Sequence, residues 1–508
     1  MTIRTASDWR SDATRLRFRR QAFIDGKTVD ALSGLTFPAI NPASGSTLVS
    51  VAACDQADVD VAVKSSRTAF ERGAWSAISP SARKRVLLRL AELMMTHADE
   101  LALLESLNMG KPITDSRNID VPVSANCIAW NAEAIDKLYG EIAPTGSDAL
   151  ALVTREPLGV VAAVVPWNFP LLMACWKLGP ALAAGNSVIL KPAEQSPLSA
   201  LRLAELAMEA GLPEGVLNVL PGLGETAGQA LGLHMDVDAL AFTGSTEVGK
   251  LFMGYSGKSN MKRVSLECGG KTPHIILRDC PNLDAAAQAV ASGIFFNQGE
   301  VCNAGSRLLV EEPIREALLE KVIAISAGYM PGDPLDPATT MGAIVSKPQM
   351  DRVLEYIDSG KNEGAALVRG GKRVRVESGG FFVEPTVFDG VRNNMRIARE
   401  EIFGPVLSVV SCASAEEAVR VANDTIYGLA AAIWTSNIDT ALSASRRLRA
   451  GSVWVNCFDE GNITVPFGGF KQSGFGRDKS IHAIEKYSDL KTTWIKINPT
   501  PAAARVLT

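Results

Sequence analysis

At 508 residues the chain is long for one hydrophobic core, so two or three domains are expected. With 47% hydrophobic residues, 21% charged residues and a net charge of −4, it has the make-up of a soluble globular protein, and neither nucleic acid nor an anionic membrane is favoured as a partner. The cysteines form no C-x-x-C pair and the histidines no H-E-x-x-H spacing, so no zinc ribbon, redox dithiol or structural metal is read, and a reduced, cytoplasmic protein is expected.

The first twenty residues mix arginines with Asp8 and Asp12 and lack an apolar core, unlike a secretory signal. Residues 22–29 read as a hairpin turning at Asp25-Gly26. Ser79 and Pro80 suit the start of one long helix carrying Val86, Leu90, Leu93, Met94, His97, Leu101 and Leu104 at helical spacing, with His97 read as packing rather than ligation. The most apolar region, 158–190, is interrupted by Pro166, Asn168, Pro170, Lys177 and Asn186 and is no membrane span. From there apolar strands (159–165, 187–190, 216–220, 239–242, 264–266) alternate with helices (170–184, 199–210, 227–233, 247–255). That rhythm predicts an α/β fold with a parallel sheet covered on both faces, binding ligands at the carboxyl ends of its strands. Further helices at 314–327, 350–360 and 415–423, a rigid loop at 331–337 and a strand at 452–456 indicate a second α/β domain, and the tail 499–508 is expected to be loose.

Five stretches carry candidate chemistry. In Asn297-Gln-Gly-Glu-Val-Cys-Asn-Ala-Gly-Ser-Arg307, Cys302 lies between Gly299 and Gly305, after a helix-like apolar run and before a strand. A thiol at such a junction can face a cleft, with its pKa lowered by a nearby helix terminus. Taken alone, a packed core cysteine is the better reading. In Val165-Pro-Trp-Asn-Phe-Pro170, Asn168 is either an oxyanion donor or a helix cap. Lys191-Pro-Ala-Glu194 is either a ribose-binding pair or a solvated one. The turns 221–228 and 242–246 suit a pyrophosphate at a helix N-terminus, although the first is not the usual Rossmann fingerprint. Glu267, in Leu266-Glu-Cys-Gly-Gly270, is either a general base or a structural carboxylate.

Taken in order, and joined by Glu400-Glu-Ile-Phe-Gly-Pro405, these motifs resemble the NAD(P)-dependent aldehyde dehydrogenase superfamily over about residues 20–497. Stretches 133–141, 167–192, 259–263, 335–342 and 465–486 are most similar to γ-glutamyl-γ-aminobutyraldehyde and other ω-aminoaldehyde dehydrogenases of putrescine catabolism. The resemblance implies two Rossmann-like domains, 1–141 with 159–268 for the cofactor and 269–480 for catalysis. It adds a bridging β oligomerisation domain, 142–158 with 481–508, and a homodimer or homotetramer.

The resemblance makes Cys302 the nucleophile of a thioester mechanism, Asn168 the oxyanion donor with the Cys302 N–H, and Glu267 the activator of water. Glu267 favours hydrolysis over transfer to coenzyme A. It assigns the cofactor to Pro166, Trp167, Lys191, Glu194, Gly224, Gly228, Phe242, Ser245, Gln349, Glu401 and Phe403. Lys191 and Glu194 would hold the adenosine ribose and Glu401 the nicotinamide ribose. Glu194 favours NAD, and Lys191 keeps NADP open. The aldehyde would meet Met173, Trp176, Asn303, Cys457 and Phe458, with Asp459 and Glu460 at the mouth either drawing in a cationic amine or simply solvated.

Three departures stand out: Cys268 beside Glu267, Asn303 after the nucleophile, and Asp478 where several relatives carry a glutamate paired with the counterpart of Lys177 in a proton relay. The expected reaction is oxidation of an ω-aminoaldehyde to its acid. A broad-range aliphatic or aromatic aldehyde dehydrogenase is the alternative. An inactive binding scaffold is a third reading, against which intact Cys302, Glu267 and Asn168 argue.

Overall fold

A computed structural model describes residues 4–498; the tail expected to be loose, 499–508, lies outside the described residues. The first sheet is built on five parallel strands in the spatial order Leu217–Val219, Ser187–Lys191, Val160–Val164, Ala239–Gly244 and Arg263–Cys268. Alternate residues of a strand face opposite ways. Val161 and Ala163 accordingly join the core under the helices Pro170–Ala184 and Leu198–Glu209. Val160, Ala162 and Val164 join the opposite core, under Gln56–Glu71 and Gln229–Leu233. Both faces are therefore dry, which is why the sequence of this strand is apolar throughout.

Two antiparallel pieces close the edges of this sheet. One is the hairpin Ala22–Ile24 and Lys27–Val29, whose turn takes positive φ at Asp25 (54°) and Gly26 (72°), as Asp-Gly predicts. The other is Gly474–Phe475, from the last tenth of the chain, which pairs with Glu267 and Leu266.

The second sheet runs Ala366–Arg369, Thr386–Asp389, Val406–Cys412, Arg307–Glu311, Pro273–Ile276, Ala430–Trp434 and Ser452–Val455, parallel except for its first strand. A separate antiparallel sheet joins Glu141–Ala143, Ala149–Pro157 and Ser488–Lys496, with Ser488 opposite Pro157 and Lys496 opposite Ala149.

The single long helix expected after Ser79 is two helices, Pro80–Thr96 and Ala98–Met109. His97 breaks it, with φ −99° and ψ 23°. Its ring is half-buried. It lies 3.2 Å from Glu100 Oε2 and 3.4 Å from Arg202 Nη2, within an ion-pair network that includes Arg19 and Glu205. The first helix is amphipathic and the second is buried on every side, so they need different directions. The helix expected at 227–233 begins as a π turn, Gly224–Gly228, before Gln229–Leu233.

Candidate active site

Cys302 is half-buried on the loop between the helix Leu283–Phe295 and the strand Arg307–Glu311. The loop opens with three consecutive residues at positive φ: Asn297 (48°), Gln298 (57°) and Gly299 (72°). Such backbone is strained for the first two. At Gly299 any side chain would also collide with the Gly404 carbonyl. Buried hydrogen bonds hold the conformation. Asn297 Nδ2 donates to the carbonyls of Asn168 and Glu300, both at 3.1 Å. Gln298 Oε1 accepts the Gly342 N–H at 2.9 Å, and Glu300 Oε1 accepts that of Val345 at 3.1 Å.

Asn168, buried just before the helix Pro170–Ala184, donates one amide hydrogen to the Glu300 carbonyl at 2.9 Å. An amide carries two hydrogens, so this bond orients the group and leaves a second donor for a ligand.

The thiol environment differs from the sequence expectation. The Cys302 pKa is not lowered. Burial pushes it well up, and the carboxylates of Glu401, Asp459 and Glu267 push the same way, against a hydrogen bond from the Asn303 N–H. The adjacent helix Leu283–Phe295 directs its carboxyl end toward the loop, the wrong sign of dipole for a thiolate.

Glu267 ends the strand Arg263–Cys268, and neither carboxyl oxygen has a hydrogen-bond partner among the described residues. Burial raises its pKa well above the carboxylate range. The charge of Asp478 adds to this, while Lys177, Lys486 and Arg477 oppose it. The shorter Asp478 does reach Lys177: the two form a buried ion pair, and Lys486 pairs with the other carboxylate oxygen. Burial disfavours the charged form of Asp478, but the two lysines outweigh it and its pKa falls.

Glu401 Oε1 accepts the Gly270 N–H at 3.0 Å, and burial raises this carboxyl to about 7. Its carboxylate fills the space a side chain on Gly269 would need. Nearby, Phe403 (φ 59°) meets Trp167 edge-on, with ring centroids 5.1 Å apart, and its carbonyl accepts Gln349 Nε2 at 2.8 Å. Pro166 is half-buried beside Trp167.

The other expected cofactor residues lie at the carboxyl ends of the first sheet. Lys191 is buried, its Nζ donating to the Pro192 carbonyl at 3.0 Å and lying 3.5 Å from Glu194. Gly224 and Gly228 bound the π turn. Exposed Ser245 caps the helix Thr246–Lys258 by accepting the Val248 N–H at 3.2 Å, and Phe242 is buried against Phe252.

A cavity of about 600 Å³ opens beside Cys302, lined by its neighbours Val301 and Asn303. Of the expected substrate residues, Asn303, Phe458 and Asp459 line it, and Asn303 Nδ2 donates to Asp459 Oδ1 at 2.7 Å. Phe458 is stacked on His274, centroids 4.6 Å apart. Met173, Trp176 and Cys457 do not line this cavity. Met173 is buried in the core, and Trp176 packs on Phe467 with Lys479 Nζ 5.9 Å above its ring.

Asp115 and Tyr329 also line the cavity and were not anticipated. Asp115 belongs to the short turn Ile113–Asp115; burial lifts its pKa to about 6, with Lys111 opposing. Only the fold brings it opposite Asp459, and the Gly110-Lys-Pro112 break before it gives no hint of that. Among the described residues no cluster of three or more His, Cys, Asp or Glu could hold a metal.

Comparison with known proteins gives this geometry its setting. Residues 29–493 match the aldehyde dehydrogenase family. The NADP/NAD-dependent aldehyde dehydrogenase PuuC of Escherichia coli K12 is 53% identical over 96% of this chain and 98% of its own. The γ-glutamyl-γ-aminobutyraldehyde dehydrogenase of Burkholderia cenocepacia J2315 is 59% identical with a TM-score of 0.96, covering 97% of this chain and 100% of that one. The indole-3-acetaldehyde dehydrogenase AldA of P. syringae, solved as a mutant with NAD+ and IAA, is also 59% identical, with a TM-score of 0.97 over the same shares. The chain belongs to the aldehyde dehydrogenase family and is an NAD(P)-dependent aldehyde dehydrogenase.

Proposed function

We propose that the physiological substrate is an ω-aminoaldehyde, such as 4-aminobutanal or γ-glutamyl-γ-aminobutyraldehyde. The observation that carries this is the cavity beside Cys302, whose lining includes two carboxylates, Asp115 and Asp459. Asp115 forms no ion pair among the described residues, so its charge is available to an ammonium group entering from solvent. The names of the structurally similar γ-glutamyl-γ-aminobutyraldehyde dehydrogenase of Burkholderia cenocepacia and of a 53%-identical aminoacetaldehyde dehydrogenase of Pseudomonas aeruginosa agree with it.

The same cavity also carries three aromatic rings, Phe296, Tyr329 and Phe458, which supports a second reading as a dehydrogenase of aromatic aldehydes. Comparing kcat/KM for 4-aminobutanal, hexanal and indole-3-acetaldehyde in the wild type and in Asp115→Asn/Asp459→Asn separates the two. The first reading expects KM to rise about tenfold for the amine alone. Equal changes for all three aldehydes would overturn it.

The residues fit a dinucleotide. Lys191 and Glu194, at the end of a central parallel strand, offer a cation and an anion 3.5 Å apart for ribose hydroxyls. The capped N-terminus at Ser245 suits a pyrophosphate, and Glu401 stands in the cleft for the second ribose. When bound, the nicotinamide would supply the hydride acceptor. Glu194 disfavours a 2′-phosphate, so NAD is the preferred form.

In the chemical steps the Cys302 thiol loses its proton to solvent water, the thiolate attacks the aldehyde carbon, and the free Asn168 hydrogen and the Cys302 N–H receive the oxyanion. Loss of hydride from the adduct leaves a thioester on Cys302. The ionised form of Glu267, made more basic by burial, takes a proton from water, and the resulting hydroxide attacks the thioester carbonyl and releases the acid and the Cys302 thiolate. The Glu267 proton then leaves to solvent, while the buried Lys177–Asp478 pair acts on Glu267 through charge alone, Asp478 disfavouring and Lys177 favouring its ionised form.

The same reading divides the chain into a cofactor domain (1–141, 159–268), a catalytic domain (269–480) and an oligomerisation domain (142–158, 481–508). Strand Ser488–Lys496 is the outer strand of its sheet and exposes Leu490 and Trp494, an edge suited to a second copy in a homodimer or homotetramer. Light scattering of the protein and of Trp494→Lys tests this. All eight cysteines are free, in keeping with a cytoplasmic location, and no helix of the described residues is long and apolar enough to cross a membrane.

A further inference from the structure

Behind the loop that carries Asn168 lies a group of ionisable side chains with no part in the steps above: Glu105, Lys111 and Asp120, all at most 1% exposed. A lone buried ammonium is strongly disfavoured, so Lys111 must be compensated on site. Asp120 pairs with it directly. The remaining face of the ammonium lies 3.6 Å from the centroid of the Phe169 ring, a cation–π contact strengthened by the absence of water.

Phe169 directly follows Asn168 and is the N-cap of the helix Pro170–Ala184, but it supplies no side-chain cap. Its backbone, φ −140° and ψ 67°, lies outside the main extended and helical wells, so local preference does not hold it there. Surrounding contacts do. Glu105 Oε2 accepts the Leu171 N–H at 3.3 Å and so caps the helix from outside. Phe296 lies against the Phe169 ring, centroids 6.3 Å apart, and its neighbour Asn297 binds the Asn168 carbonyl.

We propose that Lys111, pinned by Asp120, is a positioning residue for the oxidation: it holds the Phe169 ring and thereby fixes the direction in which the Asn168 amide meets the developing oxyanion. The assignment rests on the reading of Asn168 as an oxyanion donor.

The test uses the NAD-saturated full-length enzyme and the double variant Lys111→Met/Asp120→Asn, which removes both charges at nearly constant volume. Three quantities are measured: the pre-steady-state burst of NADH, the rate of Cys302 alkylation by iodoacetamide (which develops no oxyanion), and the Kd for NAD. The burst rate is expected to fall about tenfold, less than the ~10²- to 10³-fold that follows outright loss of a donor. Alkylation and Kd should move less than about twofold on this reading. Phe169→Leu, which leaves the charge pair intact, should lose as much of the burst.

In an Asn168→Ala background the charge-pair variant should add nothing. A full additional loss there, an unchanged burst in Phe169→Leu, or an equal fall in all three quantities would overturn the proposal. An Asn168→Ala enzyme with a normal burst would overturn the oxyanion reading itself, and the role of Lys111 with it.

Discussion

Where the sheet built on Val160–Val164 meets the cleft, its strands end in extended backbone and the helix after Ser245 starts at an ordinary cap. Where the sheet built on Arg307–Glu311 meets it, Asn297, Gln298 and Gly299 all take positive φ, and Phe403 does so across the cleft. A dinucleotide is long and flexible and can be bound by strand ends and helix termini that any parallel sheet provides. A nucleophile must meet one carbon at one angle, and the backbone that aims it is strained and held by buried hydrogen bonds.

The sharpest way to separate the two sides is Cys302→Ala. It should cut NADH formation by about 10⁴-fold or more while leaving NAD affinity by calorimetry unchanged. Loss of cofactor binding as well would mean the sides are not independent. Glu267→Gln should lower steady-state turnover about 10²- to 10⁴-fold yet keep the NADH burst, because only release of the acid needs the base.

A paired glycine experiment addresses the backbone itself. Gly299→Ala meets both a positive φ and the Gly404 carbonyl, and should destabilise by about 2–4 kcal/mol in a thermal melt. Gly224→Ala, whose added methyl would meet open space, should shift the melt by less than about 0.5 kcal/mol. Similar losses at the two positions would erase the contrast. On the cofactor side, Glu194→Gln should improve NADP relative to NAD about fivefold in kcat/KM by removing a like-charge contact.

The smallest effect concerns pH. Glu401 titrates near 7 in the folded chain against an ordinary 4.5, because it is buried. Its protonated form therefore favours folding below about pH 4.5, and that contribution is lost as pH rises through 7. Glu401→Gln should gain a few degrees in Tm relative to wild type at pH 8 and little at pH 4.5.

The same contrast explains what was legible in the sequence. Strands such as Val160–Val164 and helices such as Pro170–Ala184 and Ala415–Asn423 follow from local pattern, since each is apolar on the faces it buries and is bounded by a cap, a proline or a glycine. The break at His97 was not legible, because Arg202, which meets the ring beside the local partner Glu100, reaches it only through the tertiary fold. Motif order singled out Cys302, Asn168, Glu267 and Glu401, but not the burial that, ahead of the Glu401, Asp459 and Glu267 charges, raises the thiol pKa. Asp115 escaped for a similar reason: nothing within a few residues of it says that it faces Asp459.

Gly474–Phe475 has a consequence for how the protein is made. This short strand closes the edge of the first sheet opposite Glu267, and the same segment delivers Asp478 to Lys177. Synthesis proceeds at about 5–20 residues per second from the N-terminus, so the cofactor-side strands leave the ribosome many seconds before their edge is covered. A nascent or truncated chain ending before residue 474 would have Cys302 and Glu267 but no closed edge and no counter-ion for Lys177. Closure of the edge beside Glu267 is thus among the last events as the chain grows, and a C-terminal nick would remove it while leaving most of the core intact.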